Sequence, residues 1–235
     1  MESPHLGHSD MDTPSNTSLI ETMHASPAGE IALLDLHLDR LLRSSLALGF
    51  ANPSRESVRR QVTEHVACTP LKGSDLRVRL LMDPTGKVTV ESYALPPLTG
   101  VPLVALSPVR LQSPEPFLQH KTTYRPWYAD TMSWLTDHPD FFDLIYLNEK
   151  NEVCEGSRSN VYLLQDGVWV TPPLSCGLLG GVLRRQLLAS GQVVEKPIPA
   201  ASLVTHPGRL RLSNGLRGWF DVRLVDFPGE LNRNN

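Results

Sequence analysis

His120-Lys121-Thr122-Thr123-Tyr124-Arg125 and, further along, Glu155-Gly156-Ser157-Arg158-Ser159-Asn160 are the two stretches whose joint reading decides the fold. Lys121 carries an amine that attacks a carbonyl once its pKa is depressed by burial or by a nearby cation such as Arg125. Glu155 carries a carboxylate suited to holding an aromatic ring nitrogen in its protonated form. It follows a segment, Ile145 to Val153, that reads as a β-hairpin, so it falls near a strand end. Ser157, Ser159 and Asn160 crowd the same point, and polar groups gathered there need partners or a ligand.

Upstream of the lysine, Leu106 to Gln119 contains Pro108, Pro114 and Pro116 with Ser107 and Ser113, which predicts an extended connector over residues 106–119. Before it, His37 to Leu48 repeats leucine at helical spacing and stops at Gly49, and Ser54 is placed to cap a helix running through Val58, Val62 and Val66. Leu76-Arg77-Val78-Arg79-Leu80 alternates at the strand period. Asp83-Pro84-Thr85-Gly86 turns the chain into Val88-Thr89-Val90.

After the lysine the pattern predicts a helix from Pro126 to Asp137, with proline in its permitted first turn. Strands follow over Asp143–Leu147, Asn160–Leu164 and Val168–Val170, and Gly180 and Gly181 precede a helix through Leu187 and Leu188 that ends near Gly191. Antiparallel strands mixed with helices predict an α+β protein. The division expected is a flexible tail over 1–16, a small N-terminal α/β lobe over 17–105, the connector over 106–119, and a larger cofactor-binding lobe over 120–235.

An anionic ligand has an obvious place to go. Thr171-Pro172-Pro173-Leu174-Ser175-Cys176-Gly177-Leu178-Leu179-Gly180-Gly181-Val182-Leu183-Arg184 puts glycines at a helix start, where unpaired N–H groups and the helix dipole favour a phosphate. Arg40, on the first helix, offers a forked guanidinium for the same group.

These four segments, in this order and spacing, resemble the class IV aminotransferases, the fold type IV pyridoxal phosphate family, over Leu19 to Phe220. The resemblance implies a two-lobed enzyme like D-amino-acid aminotransferase, with pyridoxal 5'-phosphate in the cleft between lobes. Lys121 is then the Schiff-base lysine, Glu155 the partner of the pyridine nitrogen and Arg40 a phosphate ligand. Leu179 packs on the ring, Gly181, Val182 and Leu183 bind phosphate through backbone, Asn214 completes the phosphate site, and Ser159 and Asn160 line the pocket.

Leu19-Ile20-Glu21-Thr22-Met23, Lys121 to Tyr128, Leu174 to Leu179 and Asn214-Gly215-Leu216-Arg217-Gly218 are most similar to the lyase branch. That branch releases pyruvate and 4-aminobenzoate from 4-amino-4-deoxychorismate in folate biosynthesis. It implies Thr22, Arg125, Tyr128, Arg158 and Arg217 as substrate contacts, because the substrate is doubly carboxylated and arginine binds carboxylates bidentately. Three positions depart from the family pattern: Gly180 stands for a proline, Leu183 for a threonine common in transaminases, and Pro126 for a ring-contacting tyrosine. The alternatives are an amino-acid aminotransferase of the branched-chain or D-amino-acid type, and a non-catalytic relative, against which the joint presence of Lys121 and Glu155 speaks.

Composition sets the remaining expectations. With 235 residues, 40% hydrophobic and 20% charged, the chain buries a core without disulfides. A net charge of −3 leaves no basic footprint for nucleic acid. The three cysteines form no Cys-x-x-Cys pair and the histidines no metal-ligand spacing, so neither disulfide framework nor metal site is expected. No membrane span or apolar leader is apparent. A cytoplasmic homodimer acting on a small molecule, and working with aminodeoxychorismate synthase, completes the expectation.

Overall fold

Alternation explains the first sheet. In the computed structural model, which describes residues 13–71, 73–205, 209–229 and 231, β1 (Leu19–Ala25) alternates buried and half-buried positions, as does most of β2 (Leu76–Met82). With β3 (Val88–Ala94) they form an antiparallel three-stranded sheet in the order β1-β2-β3. The turn between β2 and β3 is built by Asp83, whose carboxylate accepts from the N–H groups of Thr85 and Lys87.

Two helices cover one face of this sheet, α1 (Leu34–Ala47) and α2 (Arg55–Cys68). Leu38 and Leu41 pack with Val58, Val62 and Val66 on Leu19, Met23, Val78 and Leu80, and each is essentially removed from solvent. Burial of that completeness contributes about 1.5–3 kcal/mol per side chain. Ser54 caps α2 as expected, its hydroxyl accepting from Ser57 N at 3.1 Å. The other face of the sheet, carrying Ile20, Thr22, Arg77 and Arg79, is turned to a cleft.

The second sheet starts earlier than its prolines predict. β4 (Leu103–Leu111) runs through the first half of the expected 106–119 connector and pairs in parallel with β5 (Phe141–Asn148). The register shifts between Leu106 and Arg110, so Pro108, which has no N–H to give the ladder, is accommodated in a bulge. Only the residues after Leu111 are irregular, ending in a short 3₁₀ turn at Pro116–Gln119. The helix expected from Pro126 is a 3₁₀ turn over Pro126–Tyr128 followed by α3 (Ala129–Asp137).

β6 (Val153–Gly156) returns antiparallel to β5 and leads into β7 (Asn160–Gln165). After β8 (Val168–Thr171) come α4 (Val182–Ala189), β9 (Val194–Glu195), α5 (Ala200–Thr205), β10 (Leu210–Asn214), β11 (Gly218–Asp221) and β12 (Arg223–Leu224). The sheet runs β11-β10-β7-β6-β5-β4-β12, with β8 and then β9 added beside β7. β5 is buried on both faces: Ile145 and Leu147 join one core, Leu144 and Tyr146 another. The chain is α+β, and one cavity is lined by residues of both sheets.

Residues 1–12, most of the tail expected over 1–16, lie outside the described residues. Among the described residues no helix is long and apolar enough to cross a membrane.

Candidate active site

Lys121 is fixed by backbone from the neighbouring sheet. Its carbonyl accepts from Ile20 N at 2.8 Å and Thr123 N donates to Ser18 O at 2.8 Å, so β1 holds the lysine segment in place. The side chain enters a cavity of about 360 Å³ bounded by the cleft face of the first sheet and by the loops of the second, a volume typical of small-ligand sites. Desolvation, reinforced by the positive charges of Arg125 and Arg40, lowers its pKa to about 7 against the opposing pull of Glu21 and Glu155. Its amine makes no hydrogen bond or ion pair with the described residues. A part-neutral, uncommitted amine is what attack on a carbonyl requires.

Glu155 lines the same cavity from β6, with its side chain buried. Oε1 accepts from the Tyr128 hydroxyl at 2.6 Å and Oε2 from Leu179 N at 3.0 Å. Burial dominates these favourable contacts and raises the carboxyl pKa to about 7. Tyr128, itself pushed up by burial beside Glu155, stays a neutral donor. Tyr128 thus serves the carboxylate, a role its position two residues after Pro126 did not disclose.

The turn after Glu155 is organised by Asp143 of β5. This buried carboxylate accepts from Ser157 N at 2.8 Å, Ser157 Oγ at 2.6 Å, Arg158 N at 3.1 Å and Ser159 Oγ at 2.6 Å. The crowded serines therefore have a partner inside the protein, and their task is to shape the turn. Asn160 reaches across to the glycine loop, donating to Leu179 O at 2.8 Å. Gly181 is required there because a Cβ would overlap Asn160 Oδ1. Immediately afterwards α4 begins with no side-chain cap, leaving the N–H groups of Val182 and Leu183 free for an anion.

Arg40 lines the cavity from α1 but is not free. Its Nε donates to Glu21 Oε1 at 2.8 Å, and its second arm also bonds that carboxylate, to which His37 Nδ1 adds a third contact at 2.6 Å. Burial would raise Glu21, yet Arg40 and His37 together hold its pKa down to about 2. Burial keeps His37 low and neutral despite Glu21, so Nδ1–H is the donor and the buried Nε2 has no partner among the described residues. Glu21 is the one charged side chain among the buried positions of β1, between Leu19 and Met23.

The other expected positions are brought to the cleft with differing clarity. Thr22, Arg125, Tyr128, Arg158, Ser159, Leu179, Gly181, Val182 and Asn214 all line the cavity. Leu183 and Arg217 line adjoining depressions. Arg125 lies 4.8 Å over the Tyr128 ring and its guanidinium bonds the Ser157 carbonyl. Asn214 Oδ1 accepts from Leu216 N and Arg217 N at 3.0 and 2.8 Å, so its side chain closes its own turn. Arg77 and Arg79, which line the cavity too, were missed as site residues, although their alternation with Leu76, Val78 and Leu80 was visible.

The family described as Amino-transferase class IV matches residues 18–225. A Schizosaccharomyces pombe protein provisionally assigned as an aminodeoxychorismate lyase is 30% identical over 170 residues, covering 71% of this chain and 72% of its own length. The crystal structure of a Mesorhizobium loti protein provisionally assigned as an amino-acid aminotransferase superposes with a TM-score of 0.80 at 32% identity, covering 89% of this chain and all of that one. The pyridoxal phosphate-bound form of a Mycobacterium tuberculosis protein described as a hypothetical aminotransferase shares the fold, with a TM-score of 0.70 at 22% identity over 90% of this chain and 84% of that one.

Proposed function

Because the chain belongs to the class IV aminotransferases, pyridoxal phosphate-dependent lyases and transaminases of fold type IV, we propose that it is a 4-amino-4-deoxychorismate lyase. The observation that carries the reading is the pairing, in one cavity, of an uncommitted lysine and a buried glutamate, both held near neutrality. The lyase choice over transamination is supported by the fungal relative and by the arginines on the cavity wall, which suit a doubly carboxylated substrate.

The residues present fit the cofactor: a free amine for its aldehyde, a protonatable carboxyl for its ring nitrogen, and an uncapped helix start with Arg40 nearby for its phosphate. When bound, the cofactor supplies an electron sink for the bond that breaks beside the substrate amine. Glu155 keeps the ring nitrogen protonated, while Tyr128 and Leu179 N orient its two oxygens. The Lys121 amine, on the wall of the same cavity, would take up the proton from the amine-bearing ring carbon. The bond between the neighbouring ring carbon and the enolpyruvyl oxygen would then break, the electrons of the lost C–H bond completing the aromatic ring of 4-aminobenzoate, while the departing enolpyruvate takes up a proton to become pyruvate. Glu21 fixes the Arg40 fork by engaging two of its five N–H donors, leaving the others for an anion in the cavity that Arg40 lines.

Included in the proposal are a small lobe over 17–105 and a cofactor-binding lobe over 120–235, a homodimeric state, a cytoplasmic setting and a folate-pathway role beside aminodeoxychorismate synthase. A second reading, an amino-acid aminotransferase, is favoured by the likeness to the M. loti protein. Incubation with aminodeoxychorismate and no keto acid separates the two. Equal amounts of pyruvate and 4-aminobenzoate are expected; no turnover, together with keto-acid-dependent amino transfer, overturns the lyase.

A further inference from the structure

Three arginines meet at the mouth of the cleft, and none of them joins an ion pair among the described residues. Arg77 comes from β2, Arg158 from the turn after Glu155, and Arg217 from the turn between β10 and β11. Arg77 and Arg158 line both the cavity and an adjoining groove of about 800 Å³, and Arg217 lines the groove. They are close enough that Arg158 and Arg77 add to burial in lowering the pKa of Arg217.

Each is held by groups that leave its charge uncompensated. Arg77 lies 4.6 Å over the Tyr93 ring and Arg158 4.7 Å over the Phe142 ring. Arg158 Nε donates to Phe142 O at 2.8 Å, and the Arg217 guanidinium bonds Pro96 O. No ion pair of the described residues includes any of the three. Of the nearby acids, Asp75 pairs with His24, Asp221 with Arg211, and Glu91 accepts from the Tyr93 hydroxyl, while Asp140 on the groove wall forms no ion pair with any of the three. Since each guanidinium has five N–H donors, most remain open.

Gathering like charges is unfavourable unless an anion joins them, and a chain of net charge −3 has no general excess of cations that would bring them together by chance. We propose that Arg77, Arg158 and Arg217 form a distal carboxylate subsite, selecting amino substrates that carry a second anionic group remote from the reacting amine. The inference rests on the lyase reading for the identity of the amine end, and it deepens that reading by giving the second carboxylate an address. It also disfavours substrates with a plain alkyl side chain, for which these charges offer nothing.

Isothermal titration of the holoenzyme with chorismate, which has both carboxylates and a hydroxyl in place of the amine, and with benzoate, which has one, tests the subsite without turnover. The expected result is chorismate binding at least tenfold tighter than benzoate. Arg77→Gln and Arg158→Gln should each weaken chorismate about tenfold while leaving benzoate unchanged, and Arg158→Lys should restore part of the loss. Circular dichroism and the visible absorption of bound cofactor verify that the variants fold and load. Equal binding of the two probes by the wild type, or folded variants that bind chorismate as the wild type does, overturns the subsite. If charge-dependent chorismate binding is found but aminodeoxychorismate is not cleaved, the subsite stands and the lyase reading falls.

Discussion

Glu21 and Glu155 are both buried, both within reach of the same lysine, and displaced in opposite directions. Glu21 is held at about 2 and Glu155 at about 7. The difference lies in what each was folded against. Glu21 meets the Arg40 fork and the His37 ring, a closed ion cluster in which burial is overcome by a bidentate partner. Glu155 meets two neutral donors, Tyr128 and Leu179 N, and no bonded cation, so desolvation prevails. One carboxylate is finished by the protein; the other is left for a ligand to complete.

The strongest challenge to this contrast removes the lysine both carboxylates feel. Lys121→Ala should lower pyruvate release by about 10³-fold or more and abolish the visible absorption of bound cofactor, with the fold retained by circular dichroism. Retained turnover would show that the site lies elsewhere.

Exchanging each carboxylate for its amide separates architecture from chemistry. Glu21→Gln leaves Arg40 buried without its counter-ion and should destabilise the fold by about 3–5 kcal/mol in urea denaturation. Glu155→Gln should cost little stability, since the amide oxygen can accept from Leu179 N while its NH2 donates to the Tyr128 oxygen, yet reduce kcat about 10²-fold. A reversal of these two outcomes breaks the comparison.

Titration of the cofactor-free protein gives a finer test. Glu21, depressed from 4.5 to about 2, contributes stability above pH 4.5 that is lost as pH falls through 2. Glu155, raised from 4.5 to about 7, binds its proton more tightly in the folded state, so its contribution declines as pH rises from 4.5 through 7. Lys121, depressed from 10.5 to about 7, has the opposite slope above neutrality, where the unfolded chain holds more protons and stability climbs toward 10.5. Each limb is on the order of 1 kcal/mol per pH unit. Glu155→Gln should flatten the limb between pH 4.5 and 7 alone, as read from denaturation midpoints across pH. Smallest of all, Ser54→Ala should cost about 1 kcal/mol through its lost cap and leave both carboxylates untouched.

Local signals in the sequence carried over well where one short segment decides its own conformation. The leucine spacing of α1, the Ser54 cap and the Asp83-Gly86 turn are of this kind, as is the free start of α4 after Gly181. What escaped notice depends on partners distant in the chain. β4 was read as connector because Pro108 breaks the ladder locally, whereas pairing with β5 on either side of the bulge outweighs that loss. Glu21 lies sixteen positions from His37 and nineteen from Arg40, and only docking of α1 on β1 makes them one cluster. Lys121 and Glu155 were legible because they resemble a family pattern; the service of Tyr128 to Glu155, and the gathering of Arg77 with Arg158 and Arg217, needed the tertiary structure.

Asp143 has a consequence for how this chain can change. Four donors from Ser157, Arg158 and Ser159 converge on its one carboxylate, and a Cβ on Gly156 would overlap that same carboxylate. Positions 143, 156, 157 and 159 are therefore tied together: a single replacement among them removes a partner of the buried carboxylate or displaces the turn that aims Glu155, whereas Arg158 contributes only its backbone N–H and leaves its side chain free to change. At the mouth of the cleft the constraint is looser, since the exposed side chains of Arg77 and Arg158 can be exchanged singly and the molecules accepted there altered while the apparatus beneath stays as it is.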